Sequence, residues 1–277
     1  MIDRVVVAFD GSELSREAFA YALALAEAAG RGKPVGVHVV HAIEPDAPVM
    51  MAGDPALVDP TPLIEQREAE RREEQAWAER EFAAMGRAAG DRGIELTTSL
   101  EIGPLLETLC DLSSAHDLIA VGRKGRFARS GLGSTTAALI RNAPCPVLVV
   151  SGSAKPIERV LAVYDGSRVS KRAVAEAEEF ADASGLPLVV LASAGHGHDL
   201  EEAVERARQD APGATVTALG ESEQRDESAL IEHALGDDGH ALLFLGAYPD
   251  SMLQRLLFGG ATERVLSRLG APVALVR

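Results

Sequence analysis

Short, unbroken apolar runs recur along the chain, and stretches with helical spacing fill the intervals between them. Residues 4–9 (RVVVAF) are rich in β-branched residues and too short for a helix, so they predict a strand. Residues 13–29 place apolar positions three and four apart and predict a helix. The same alternation predicts strands at 35–43, 94–100, 117–122 and 146–150, with helices at 62–91, 103–115 and 134–142. After residue 150 the rhythm restarts, with strands near 159–164, 187–193, 214–219, 241–246 and 272–276. Strands of this kind belong to parallel sheets covered on both faces. The expected class is α/β: two tandem open parallel five-stranded sheets with helices on both faces.

The restart is a repeat. Residues 4–30 align with 159–185 at an offset of 155, and twelve of the 27 positions are identical, among them Asp10/Asp165, Gly11/Gly166 and Ser12/Ser167. The offset falls to 124 at Gly122/Gly246, so the second unit is 31 residues shorter (155 − 124). Most of the excess lies between Glu44 and roughly Arg80. It opens as a proline-rich loop and continues as a helix laced with Glu–Arg pairs, solvated on most sides, with Trp77 and Phe82 marking its buried side. The chain therefore divides into domains at 1–150 and 157–277. The linker at 151–156 (SGSAKP) has the composition of a flexible connector.

With 277 residues, 47% hydrophobic and 25% charged, each unit can bury a core of its own. The net charge of −15 disfavours nucleic acid and requires any anion site to be built locally. Cys110 and Cys145 form no metal or disulfide spacing and read as reduced core thiols. No apolar run approaches the ~18 residues of a membrane span. Residues 1–4 lead straight into a strand without a leader pattern, so the expected location is the cytoplasm.

Asp10 stands at the carboxyl end of the first strand, where open α/β sheets bind ligands. It is placed to accept from a ribose hydroxyl or a base amine; plain capping of the next helix is the competing reading. Ser12 is a good N-cap by itself. The stretch after the fourth strand, VGRKGRFARSGLGSTT, sets glycines at 122, 125, 131 and 133 before Ser134, Thr135 and Thr136 at a helix start. Glycines let backbone N–H groups approach a phosphate, and a helix N-terminus adds oriented donors. Arg123, Lys124, Arg126 and Arg129 put four cations into seven positions and would steer phosphate. A bland βα turn made soluble by cations is the alternative. Neither the P-loop pattern nor the dinucleotide G-x-G-x-x-G after the first strand is present.

In order, VVVAFDGSELSREA, the spaced glycines with Gly-Ser, and APCPVLVV resemble the universal stress protein family in its tandem form. The resemblance implies an adenine nucleotide alpha hydrolase-like fold, dimerisation through the last strand, and ATP as ligand, with Mg²⁺. By position it implies adenosine contacts at Ala8, Asp10, Ala42 and Val121. Phosphate and ribose contacts fall on Gly122, Lys124, Gly125, Gly133, Ser134, Thr135 and Thr136. The family spaces its second glycine nine residues from Gly-Ser, whereas RFARSGL supplies seven here. The second unit keeps Asp165, Gly246 and Gly259. However, Pro249 replaces the second glycine and Gly260-Ala261 the hydroxyl pair, so its site reads as degenerate.

His196, His198 and Asp199 read as a loop with a helix cap, His38 and His41 as structural, and His116-Asp117 as packing with dipole compensation. The expected function is a stress-response binding and regulatory module. It takes ATP in the first unit, which orders the 123–131 loop for an unknown protein partner. The second unit is expected as an intrachain pseudo-dimer partner, with homodimerisation open. The alternatives are a slow ATPase or phosphotransferase, and a structural pseudo-dimer that acts through protein partners alone.

Overall fold

Each apolar run becomes a strand. The computed structural model describes residues 2–29, 34–43, 61–126, 132–194, 199–219, 240–247 and 271–277. The first unit contains β1 (Arg4–Ala8), α1 (Glu13–Ala29), β2 (Gly36–Ile43), α2 (Thr61–Gly90), β3 (Leu96–Ile102), α3 (Leu105–Ser113), β4 (Leu118–Gly122), α4 (Ser134–Asn142) and β5 (Val147–Val150). The second contains β6 (Arg159–Tyr164), α5 (Arg168–Ser184), β7 (Leu188–Ala192), α6 (Leu200–Asp210), β8 (Thr215–Ala218), β9 (Ala241–Gly246) and β10 (Val273–Val276). None of the described helices is long and apolar enough to cross a membrane.

The two expected five-stranded sheets are halves of one ten-stranded sheet, ordered β3-β2-β1-β4-β5-β10-β9-β6-β7-β8. Within each half all neighbours are parallel. The seam is antiparallel and pairs Val147 with Leu275, Leu148 with Ala274 and Val149 with Val273. Both seam strands are buried along their whole length, VLVV against VALV. Left unpaired, they would expose two apolar edges to other chains. The outer edges, β3 and β8, are half-exposed and carry Thr, Ser and Glu instead.

Alternation along β1 sends Val5, Val7 and Phe9 to one face and Val6 and Ala8 to the other. The first face packs under α1, α2 and α5 in a core that crosses the seam, from Val5 through Leu148 to Ala274 and Phe244. The linker differs from its composition. Its Ser153 carbonyl accepts from the Tyr21 hydroxyl at 3.2 Å, and its Ala154 N–H donates to Glu17 at 2.6 Å. Residues on α1 thus satisfy its backbone and hold it down. As expected, α2 is solvated on most sides, with Trp77 and Phe82 packed on the core beside buried Ala78, Met85 and Ala89.

Gly122 and Gly246 end equivalent strands under the helix of their own unit. A Cβ at Gly122 would lie 2.8 Å from Leu14 Cβ, and one at Gly246 would lie 2.9 Å from the Val169 carbonyl carbon. Only glycine lets helix and strand approach so closely. Gly246→Ala is expected to lower stability by about 1–3 kcal/mol, read as a lower urea midpoint with an unchanged slope.

Candidate functional site

The chain leaves β1, turns between Asp10 and Ser12, and enters α1. Gly11 adopts a left-handed φ of 75° that side chains resist. The Ser12 hydroxyl caps α1, accepting from the Ser15 N–H at 3.1 Å. Asp10 is therefore not the cap. One of its carboxylate oxygens accepts the Ser12 N–H at 2.9 Å, and the other accepts the Arg126 N–H at 2.7 Å. The sequence reading gave Asp10 to a ligand or to capping; the structure uses it to fasten the glycine loop after β4 to the end of β1. Burial pushes this carboxyl upward, but the donors from Ser12, Arg126 and Ser15 outweigh it and hold the group below the usual range.

Gly125 makes that fastening sterically feasible, because a Cβ there would sit 2.7 Å from the Asp10 carboxylate oxygen. The base of the loop is tied by Arg123 N–H to the Val150 carbonyl (2.7 Å) and Gly133 N–H to the Arg123 carbonyl (2.9 Å). Gly133 then starts α4 with no side chain capping its first N–H groups. At Gly133 an added Cβ meets nothing closer than 3.4 Å, so the fold itself would accept a side chain.

These elements enclose a cleft of about 490 Å³. It lies where the chain, having wound outward from β1 to β3, crosses back to β4, the position at which such sheets bind ligands. All eleven residues singled out for the first-unit site line it. Ala8, Asp10 and Ala42 come from the ends of β1 and β2, and Val121 and Gly122 from β4. Lys124 and Gly125 belong to the loop, and Gly133, Ser134, Thr135 and Thr136 to the start of α4. Two of them do structural work as well: Gly122 fits against Leu14, and buried Thr136 donates its hydroxyl to the Gly122 carbonyl at 2.9 Å. Arg126 lines the cleft, Arg123 sits at the loop base outside it, and Arg129 lies outside the described residues.

The cleft is also lined by Ser12, read from the sequence as a cap, by His41, read as structural, and by Ser15, Glu74 and Leu105, which sequence reasoning missed. His41 is buried, and its ring meets the Phe9 carbonyl at 2.8 Å and the Glu74 carboxylate at 3.2 Å. Trp77 stacks on Phe9 with 5.8 Å between centroids and meets His41 edge-on at 5.3 Å. Glu81 pairs with Arg16 on α1. Glu74, Trp77 and Glu81 share one helix face at intervals of three and four residues, a signal hidden in the sequence by the surrounding charges.

The second unit keeps the turn. Asp165 accepts the Ser167 N–H at 3.0 Å, and Ser167 caps α5. Its surroundings differ: Tyr164 replaces Phe9 and donates to Asp210 at 3.0 Å, and the strand register puts Ala192 where the first unit has His41. Pro249, Gly259 and Gly260 lie outside the described residues, as do His196 and His198. Asp199 caps α6 by accepting from Glu202, and the His116 ring pairs with the Leu112 carbonyl at the end of α3. His38 sits against Ser99 and His116. Among the described residues no group of three side chains could hold a metal ion. The cysteines are free and half-buried, and burial pushes the Cys145 thiol up to about 11.

A family model, the universal stress protein family, matches residues 1–151. The universal stress protein Slr1230 of Synechocystis sp. is 26% identical over 297 residues, with 99% of each chain covered. The universal stress protein Mb2028c of Mycobacterium bovis is 29% identical over 193 residues, spanning 67% of this chain and 59% of that protein. Among solved structures, a universal stress protein from Archaeoglobus fulgidus superposes with a TM-score of 0.68 at 18% identity, covering 98% of this chain and 95% of its own.

Gly125→Ala must displace the Asp10 carboxylate. Hydrogen exchange at the Arg126 amide should then rise by about tenfold, the worth of one charge-assisted hydrogen bond, with global stability little changed. A carboxyl depressed by folding contributes above its unfolded value, about 4, and loses that contribution as pH falls through the folded value. In the unmodified protein the protection of Arg126, corrected for intrinsic rates, should therefore disappear on acidification below that range.

Proposed function

We propose that this chain, which belongs to the universal stress protein family, binds ATP with Mg²⁺ in its first unit and serves as a nucleotide-responsive regulatory module. The observation that carries this reading is the glycine loop held by Asp10 opposite the uncapped start of α4. Backbone N–H groups, the exposed Ser134 hydroxyl, Thr135 and the cations Lys124 and Arg126 converge there on one cleft. In a chain of net charge −15 this is a local site for phosphate oxygens. Ala8, Ala42, Leu105 and Val121 give the other part of the cleft an apolar lining suited to a base. The volume of about 490 Å³ falls within the range of nucleotide-sized pockets.

Binding changes the surface around residues 123–126, and a protein partner reads the difference between the two states. The second unit, with the same turn in altered surroundings, completes the sheet rather than binding a second nucleotide.

Calorimetric titration of ATP·Mg²⁺, after checking for co-purified nucleotide, is expected to give one site per chain. Lys124→Ala should weaken it by about tenfold, as the loss of one charged contact does. Gly133→Asp should abolish it without unfolding the protein. Two equivalent sites would defeat the assignment to the first unit. No heat together with no carried-over nucleotide would defeat the ligand.

A further inference from the structure

The contacts of His41 leave an unbalanced proton count. Its Nδ1 faces the Phe9 carbonyl at 2.8 Å, which only accepts, so Nδ1 carries a proton. Its Nε2 faces the Glu74 carboxylate at 3.2 Å. With a neutral imidazole and an ionised carboxylate, a lone pair would oppose an acceptor there. The contact exists only when one further proton sits between the two groups, on Nε2 or on the carboxylate.

We propose that His41 and Glu74 form a proton-operated latch that fastens α2 to the edge of the cleft. Both residues line the cleft, and the charged groups that share it with them are Asp10, Lys124 and Arg126. Glu74 belongs to the helix face that also carries Trp77 and Glu81. That face meets the residue after β1 through the Phe9 ring, and α1 through Arg16. With the proton present, buried His41 is held by the Phe9 carbonyl, the Glu74 carboxylate and the edge contact with Trp77 at 5.3 Å. When the proton leaves, the most ligand-proximal of the three α2 contacts becomes repulsive. Ile64–Glu73, the stretch of α2 just ahead of Glu74, is largely exposed. The latch itself stands on this geometry; its coupling to ligand rests on the nucleotide reading above. The latched state cancels the negative charge of Glu74 beside an anion-binding cleft and should favour nucleotide.

Trp77 is the single tryptophan of the chain and touches His41, so intrinsic fluorescence reports the latch without any ligand. A charged imidazolium quenches a neighbouring indole. Emission of the unliganded protein should fall through a one-proton transition on acidification. His41→Gln should abolish the transition, and Glu74→Gln should move it to lower pH. A flat wild-type profile, or an unchanged one in His41→Gln, overturns the latch. Should His41→Gln fail to fold by circular dichroism, an unmoved transition in Glu74→Gln overturns it alone. With saturating ATP·Mg²⁺ the wild-type transition should move to higher pH. By reciprocity, affinity should be about fivefold or more greater at pH 6 than at pH 8. Equal binding at both values overturns the coupling. A fluorescence transition with no binding at either pH supports the latch and counts against the nucleotide reading.

Discussion

Three antiparallel residue pairs between β5 and β10 decide the form of the whole molecule. Each half alone would end in an apolar strand with unpaired backbone donors and acceptors. Joining them removes both exposed edges at once and lets a single core run beneath the seam from α1 to α5. The linker can then be short and pinned to α1, because the distance it spans is set by the seam and not by its own stiffness. The antiparallel pairing also points the carboxyl ends of the two half-sheets in opposite directions.

Within the first unit the same economy of backbone groups builds the cleft. Asp10 accepts two N–H groups that turns would otherwise leave unpaired, one from its own turn and one from a loop more than a hundred residues away. The close approach this needs is available only because Gly125 has no side chain. Thr136 closes the circuit by donating to the last carbonyl of β4. These hydrogen bonds tie the end of β1, the base of the loop and the start of α4 to one another.

Much of this was legible in the sequence. The strands stood out because fully buried parallel strands are unbroken apolar runs, and the predicted bounds fall within a residue or two of those observed. The repeat at Asp10 and Asp165 located the turn, and the spaced glycines located the loop. What was hidden depends on partners distant in the chain. That Asp10 also fastens the loop could not be read, because nothing in the sequence shows Arg126 coming to meet it. The linker looked flexible because Tyr21 and Glu17 are invisible in its composition. The inner face of α2 was masked by the charges around it, so the contact of Glu74 with buried His41 could not be read. The pairing of the last strands of the two units was expected from the family resemblance, whereas its antiparallel register is not encoded in composition.

Carrying both halves on one chain has a hereditary consequence. In a symmetric dimer every substitution is made twice, so no residue can serve one partner without being imposed on the other. Here each half mutates alone. The first carries a long helix with a tryptophan against its turn, while the second has Tyr164 and Asp210 in that region and an alanine in place of His41. Two descendants of one unit remain joined edge to edge, yet each is free to specialise.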